Sequence, residues 1–92
     1  MKILIIEDER LLAGSIKDLL EIQGFEAEAV YDGETGFTYA GTGIYDLIIL
    51  DVMMPGLNGY QTCMEIRKKS NVPILFLSAR TQVEDKIMGF SS

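Results

Sequence analysis

Three acidic side chains stand at the ends of two apolar runs, where their type and placement favour binding of a divalent cation. Glu7 and Asp8 follow the run Lys2–Ile6, and Asp51 follows the run 47–50. If these runs are neighbouring parallel strands, the three carboxyl groups meet at one edge of a sheet. Clustered carboxylates shift each other's pKa unless a cation joins them. Oxygen ligands in a small site favour Mg²⁺, which binds one or two protein carboxylates and keeps several waters.

Each aspartate also has a purely structural interpretation. Asp8 stands where the N-cap of a following helix is expected, and aspartate is a favoured cap. Asp51 can simply end a strand. Either acid alone supports the two interpretations equally, whereas both acids at one sheet edge favour a metal site.

The residue types exclude several kinds of chemistry. The chain has no histidine, which excludes His–Ser and His–Cys nucleophile pairs and histidine metal sites. Rossmann and P-loop sites need glycines and free backbone N–H groups directly after the first strand. This chain has the charged segment 7–10 there, with three acids and Arg10. The sequence therefore argues against a dehydrogenase. It also argues against a flavin protein of the flavodoxin type, which has a hydroxyl-lined loop at the place of this charged segment.

Length and charge limit the organisation of the chain and its partners. Its 92 residues make one domain, and 48% hydrophobic with 24% charged residues is an ordinary globular composition. Fourteen acids against eight bases give a net charge of −6, the wrong sign for gripping a phosphate backbone. The basic cluster 67–69 lies where a helix should end, and cations there suit the helix dipole. We expect no direct nucleic-acid binding.

The chain also lacks the features of a secreted or membrane protein. Its longest uncharged stretch, 52–64, contains a proline and two glycines, so no segment is expected to span a bilayer. The apolar run at the N-terminus is too short for a signal peptide. The single cysteine, Cys63, cannot form an internal disulfide and fits a reducing compartment. A cytoplasmic location is expected.

Strand and helix patterns alternate along the chain. Continuous apolar runs at Lys2–Ile6, 47–50 and 73–77 predict strands buried on both faces, and alternation over 25–30 predicts a more exposed strand. Apolar periodicity predicts helices between Asp8 and Gly24 and over 34–42, 60–69 and 81–90. In the third helix Tyr60, Cys63 and Met64 are predicted to face inward. Four βα units in series indicate an α/β fold with a parallel sheet.

Three motifs, in this order, resemble the receiver domain of bacterial two-component response regulators: ILIIEDE at 3–9, YDLIILDVMMPG at 45–56 and PILFLSA at 73–79. The resemblance covers residues 1–92. It implies a flavodoxin-like, three-layer α/β sandwich with strand order 2-1-3-4, in which the first and third strands are neighbours. The loop 53–59 is similar to that of regulators with a winged-helix DNA-binding domain downstream.

The resemblance also implies roles for individual residues. Asp51 corresponds to the phosphoacceptor and Asp8 to a direct Mg²⁺ ligand. Glu7 would assist directly or through water; the family usually has aspartate there, and glutamate keeps the charge. Met53 would contribute its backbone carbonyl to the metal. Ser78 corresponds to a switch hydroxyl, with capping of the helix 81–90 as its structural alternative.

A receiver resemblance further implies partners and a larger protein. The phosphodonor would be a sensor histidine kinase, and the chain would not be a turnover enzyme. Receivers have five βα units and this chain shows four, so we expect a truncated domain whose output domain, of a transcriptional kind, is absent. No residue matches the family's phosphate-binding lysine. The alternative function is an interaction or dimerisation module that accepts no phosphate.

The expected truncation indicates how copies of the chain would associate. Without a fifth strand, the segment 73–77 would leave one apolar edge unpaired, and such an edge is a template for pairing with another chain. We therefore expect a homodimer, formed either through that edge or by exchange of the helix 81–90.

Overall fold

A mainly parallel sheet runs through the centre of the fold and carries helices on both faces. The computed structural model describes residues 1–56, 58–77 and 87–91, the last of these by backbone alone. The elements are β1 Lys2–Ile6, α1 Arg10–Ile22, β2 Glu26–Val30, α2 Gly33–Ala40, β3 Leu47–Asp51, α3 Gly59–Arg67, β4 Ile74–Leu77 and β5 Ile87–Ser91. The strand order is β2-β1-β3-β4-β5, and the first four strands are parallel. The predicted α/β fold with order 2-1-3-4 is confirmed.

The core lies mainly between the sheet and helices α2 and α3. Side chains alternate between the two faces of a strand, and one face carries a buried cluster that joins the sheet to these two helices. Its sheet members are Leu4, Ile6, Val30, Ile48, Leu50 and Ile74, and its helix members include Ala40, Cys63 and Ile66. Helix α1 packs against β1 and β2 through its buried Ala13. The result is the expected three-layer arrangement.

Local sequence explains where the helices begin and end. Gly24 follows α1 with a φ of 96°, the left-handed conformation that a glycine after a helix end supplies without strain. Helix α3 begins with a capping box, in which the Asn58 side chain accepts from the Gln61 N–H and the Gln61 side chain accepts from the Asn58 N–H. The end of α1 and the start of α3 are therefore fixed by short-range interactions.

The inward face of α3 differs from the predicted one. Cys63 is buried as expected, but Tyr60 and Met64 are exposed, Met64 by 64%. The buried face instead consists of Gly59, Thr62, Cys63 and Ile66. Gly59 and Thr62 on this face let the helix approach the sheet closely, and a pattern of apolar spacing gives no signal for either residue.

The end of the described chain also differs from prediction. A helix was expected over 81–90; its first part lies outside the described residues, but Ile87–Ser91 forms strand β5, antiparallel to β4. The predicted unpaired edge at 73–77 is wrong for the same reason, because β4 pairs with β3 on one side and β5 on the other. Pairing within the chain satisfies the backbone groups of β4, so the argument for a homodimer through that edge or through helix exchange loses its basis.

Among the described residues, no helix has both the length and the apolar composition needed to cross a bilayer.

The buried cluster predicts a large difference between two isoleucines. Ile48 is fully buried within it, whereas Ile44, in the loop before β3, is 53% exposed. Ile48→Ala should lower the free energy of unfolding by about 2–5 kcal/mol, since it removes apolar contacts and leaves a cavity. Ile44→Ala should change it by no more than about 0.5 kcal/mol. Urea unfolding of both variants measures the difference, and equal losses would contradict the assigned core.

Candidate functional site

The carboxyl ends of β1 and β3 bring three acids together. Ile6 pairs with Leu50 across these parallel strands, so the next residues, Glu7 and Asp51, lie side by side. Each of Glu7, Asp8 and Asp51 offers one carboxylate oxygen, and these oxygens all lie within 4.8 Å of one another. The predicted cluster at this sheet edge is therefore present.

The two aspartates are held in different ways. Asp51 is the last residue of β3 and only 1% exposed, and its Oδ1 accepts the Met53 N–H at 3.0 Å. Asp8 is not the N-cap residue of α1, because that position is Glu9, whose side chain makes no capping hydrogen bond. The structural alternative proposed for Asp8 is therefore wrong. Its half-buried side chain faces the same site as Asp51.

Glu7 is an unusual carboxyl because it is buried almost completely, at 1% exposure. Its Oε2 accepts the Glu9 N–H at 2.8 Å, while Oε1 is buried and meets no hydrogen-bond donor among the described residues. Burial raises the pKa of Glu7 to about 8, and the negative charge of Asp51 acts in the same direction. The hydrogen bond from Glu9 opposes this shift and is outweighed. At neutral pH the site therefore favours either a proton or a cation beside Glu7.

The site opens into a shallow cavity at the sheet edge. Its volume is about 580 Å³, and it is lined by Asp8, Val52, Met53, Met54, Pro55 and Asn58. The Met53 side chain lies exposed at this mouth while its backbone N–H faces inward to Asp51. Of the predicted site residues, Glu7, Asp8, Asp51 and Met53 come together, and Ser78 lies outside the described residues.

A stacked pair near the site was not identified from the sequence. The Arg10 guanidinium lies 4.0 Å from the centre of the Tyr31 ring, which favours a cation–π interaction. Arg10 begins α1 two residues after Asp8, and Tyr31 follows β2. A cation at a helix N-terminus opposes the helix dipole, so the ring offsets part of that cost. The contact joins residues 21 positions apart, and no local pattern indicates it.

The buried carboxyl predicts a specific pH dependence for the chain without metal. The pKa of Glu7 is about 8 in the folded chain and near its ordinary value of 4.5 in the unfolded chain. Between these values the folded chain holds a proton that the unfolded chain has released, so stability falls as pH rises from 4.5 to about 8 and then levels off. Glu7→Gln has no such proton to lose. With both proteins in EDTA, the melting temperature of Glu7→Gln minus that of wild type should therefore increase as the pH rises across this interval.

The matched control is Glu9→Gln, which removes an exposed acid two positions away and keeps the backbone hydrogen bond to Glu7. This variant should show the same pH-dependent fall as wild type. If the melting temperatures of wild type and Glu7→Gln change with pH in the same way across this interval, the assignment of a buried, protonated Glu7 is refuted.

Comparison with curated proteins shows which family the sequence matches. A profile described as "Response regulator receiver domain" matches residues 3–92. The response regulator ArlR of Staphylococcus saprophyticus is 41% identical over 88 residues, which are 96% of this chain and 40% of that protein. The transcriptional regulatory protein DltR of Streptococcus agalactiae is 38% identical over 90 residues, 97% of this chain and 40% of that protein. The chain thus spans about 40% of the length of these relatives.

Solved structures agree with this match. The response regulator TrrA of Thermotoga maritima, solved in complex with Mg(2+)-BeF, superposes with a TM-score of 0.82 at 36% identity, covering 87% of this chain and 70% of that one. A complex of the histidine kinase ThkA with TrrA matches with a TM-score of 0.81 at 34% identity, covering 92% and 74%. Sequence match, strand order and acidic sheet edge agree, and the chain belongs to the response regulator receiver domain family.

Proposed function

We propose that residues 1–92 act as one receiver domain that accepts a phosphoryl group at Asp51 in a Mg²⁺-dependent reaction. The observation that carries this proposal is the acidic cluster at the ends of β1 and β3, where a nearly buried Asp51 lies beside Glu7 and Asp8. Phosphoryl transfer depends mainly on positioning and on electrostatic stabilisation, and such a cluster is suited to both once a cation is bound.

The residues present fit a magnesium ion. We assign Asp8 and Asp51 as its carboxylate ligands, Glu7 as an assisting group and Met53 as a backbone carbonyl ligand. The buried Oε1 of Glu7 supports this assignment because it meets no donor among the described residues, and an oxygen-only set is the kind that Mg²⁺ prefers. When bound, the ion neutralises charge on the carboxylates and the phosphoryl group. The complex of TrrA with Mg(2+)-BeF supports the choice of metal.

Asp51 would act as the nucleophile. A carboxylate oxygen bonds to phosphorus while the bond between phosphorus and the donor breaks, and the donor leaves with that electron pair. The product is an acyl phosphate on Asp51. The Met53 N–H, bonded to Oδ1 at 3.0 Å, holds the carboxylate in one orientation during attack. This role consumes the side chain's own nucleophile once per phosphorylation, so the chain is not a turnover enzyme.

Signalling would connect this site to partners outside the chain. We assign a sensor histidine kinase as the phosphodonor, which the kinase complex of TrrA supports. Ser78 follows β4 directly and would be the switch hydroxyl that responds to the new phosphate. The output is proposed to lie elsewhere in a longer protein and to regulate transcription, in line with the name of DltR. A cytoplasmic location follows from this role, and a single buried cysteine, Cys63, which has no second cysteine in the sequence to pair with, is compatible with it.

Loss of a metal ligand should be directly measurable. Asp8→Asn replaces a carboxylate by a neutral amide at the mouth of the site, so Mg²⁺ affinity should fall. Loss of a group that only orients a ligand costs about 10–100-fold, and loss of the ligand itself should cost at least as much. Isothermal titration calorimetry measures the change in Mg²⁺ affinity. Asp18→Asn, on the exposed face of α1, is the control and should bind like wild type; an Asp8→Asn variant with unchanged affinity would refute the assignment.

Phosphorylation is tested with acetyl phosphate as a small donor. Wild type with Mg²⁺ should gain the mass of one phosphoryl group, and EDTA or Asp51→Asn should abolish the gain. For residues 1–92 tested alone the yield should be low, because none of these residues matches the family's phosphate-binding lysine. Intact-mass spectrometry measures the product. Asp46→Asn is the control, since that acid accepts the Lys2 N–H at the opposite end of the sheet. No Mg²⁺-dependent gain in wild type would favour the interaction module that accepts no phosphate.

A further inference from the structure

Helix α3 begins in direct contact with the backbone that carries Asp51. Gly59 is the first residue of α3 and is buried, and its N–H donates to the Val52 carbonyl at 3.3 Å. An ideal Cβ built at Gly59 would lie 2.5 Å from the Val52 Cα, 2.8 Å from the Asp51 carbonyl carbon and closer still to the Asp51 carbonyl oxygen. These are backbone atoms, which cannot rotate away as a flexible side chain can.

Conformation does not explain the glycine at this position. The glycines with positive φ are Gly24, Gly43 and Gly56, and Gly59 is helical. Alanine has the higher helix propensity, so backbone preference alone would favour alanine at position 59. The reason for glycine is therefore space: only a residue without a side chain lets α3 rest on the peptide unit between Asp51 and Val52.

The start of α3 is itself held firmly. The capping box fixes Asn58 and Gln61, and the Asn58 carbonyl accepts both the N–H and the hydroxyl of the fully buried Thr62 at 2.9 Å. A firmly held helix end in contact with the Asp51 backbone fixes how far that residue projects beyond the sheet. Glu7 and Asp8 follow β1, so this depth sets the distance between the Asp51 carboxyl group at the end of β3 and the two carboxyl groups after β1.

We propose that Gly59 is a positioning residue for the phosphoacceptor, which it serves by setting the depth of Asp51 relative to Glu7 and Asp8. This inference rests on the proposed function. A Cβ at position 59 would have to separate from the Val52 Cα by about 0.9 Å to go from 2.5 Å to an ordinary 3.4 Å contact. A misplacement of about 1 Å can cost about a hundredfold in rate.

The test compares Gly59→Ala with two glycine controls. Gly59→Ala should bind Mg²⁺ about 10–100-fold more weakly and should be labelled by acetyl phosphate about a hundredfold more slowly at saturating Mg²⁺. In Gly36→Ala the new Cβ meets only the Ile6 side chain, at 2.5–3.0 Å, so stability should fall while Mg²⁺ affinity stays unchanged. Gly14→Ala meets nothing within 4 Å and should bind Mg²⁺ like wild type.

Metal affinity distinguishes positioning from a merely structural role. If Gly59→Ala binds Mg²⁺ and is labelled like wild type, the proposal is overturned. Equal losses of Mg²⁺ affinity in Gly59→Ala and Gly36→Ala would overturn it as well.

If Gly59→Ala does not fold, the variant Asn58→Ala decides, because it loosens the start of α3 without adding atoms. That variant should also bind Mg²⁺ more weakly, and an unchanged affinity would overturn the proposal. A wild type that binds Mg²⁺ but gains no phosphoryl group would contradict the proposed function, and the Mg²⁺ comparison would still decide the role of Gly59.

Discussion

Mutual repulsion of three carboxyl groups in a poorly solvated site is the constraint on which the functional end of this molecule depends. Glu7 and Asp51 are each 1% exposed, and their oxygens lie within 4.8 Å of each other and of Asp8. Such an arrangement is unfavourable unless a proton or a cation neutralises it. The cluster therefore trades stability of the empty chain for affinity towards a positive ion, a trade that suits a site for charge-dependent chemistry.

The rest of the fold holds these groups together against that repulsion. The parallel register places Glu7 beside Asp51, and the buried cluster of Leu4, Ile48 and neighbouring side chains fixes β1 against β3. Backbone donors contribute locally: the Glu9 N–H to Glu7 and the Met53 N–H to Asp51. A rigid apolar sheet is thus the support that lets an otherwise unfavourable group of charges persist.

The parts of this architecture that could be predicted are those with a local signal. Strands β1 and β3 are buried on both faces and appear as continuous apolar runs, and the acids that end them stand out by charge. The close contact of Gly59 with the Asp51 backbone has no such signal, because it joins a helix to a strand across a loop. The raised pKa of Glu7 depends on burial that only the folded sheet creates.

The errors have physical causes as well. Apolar spacing at Val83, Ile87 and Phe90 predicted a helix, yet Ile87–Ser91 pairs with β4, because the backbone groups of an edge strand are satisfied by a neighbour whatever its side-chain period. On α3, Tyr60 and Met64 were expected inside because their spacing with Cys63 matches one face of a helix. Gly59 and Thr62 lie on the buried face instead, beside Cys63 and Ile66, and at Gly59 the helix contacts the backbone of β3 too closely for a side chain.

The bond from Met53 to Asp51 comes from the main chain, while the Met53 side chain lies on the outer surface of the cavity. These two halves of one residue are independent: almost any amino acid except proline supplies the same N–H, whatever it presents to the outside. Mutational variation at position 53 can therefore remodel the entrance that a visiting molecule meets and leave the orientation of the carboxylate behind it unaltered.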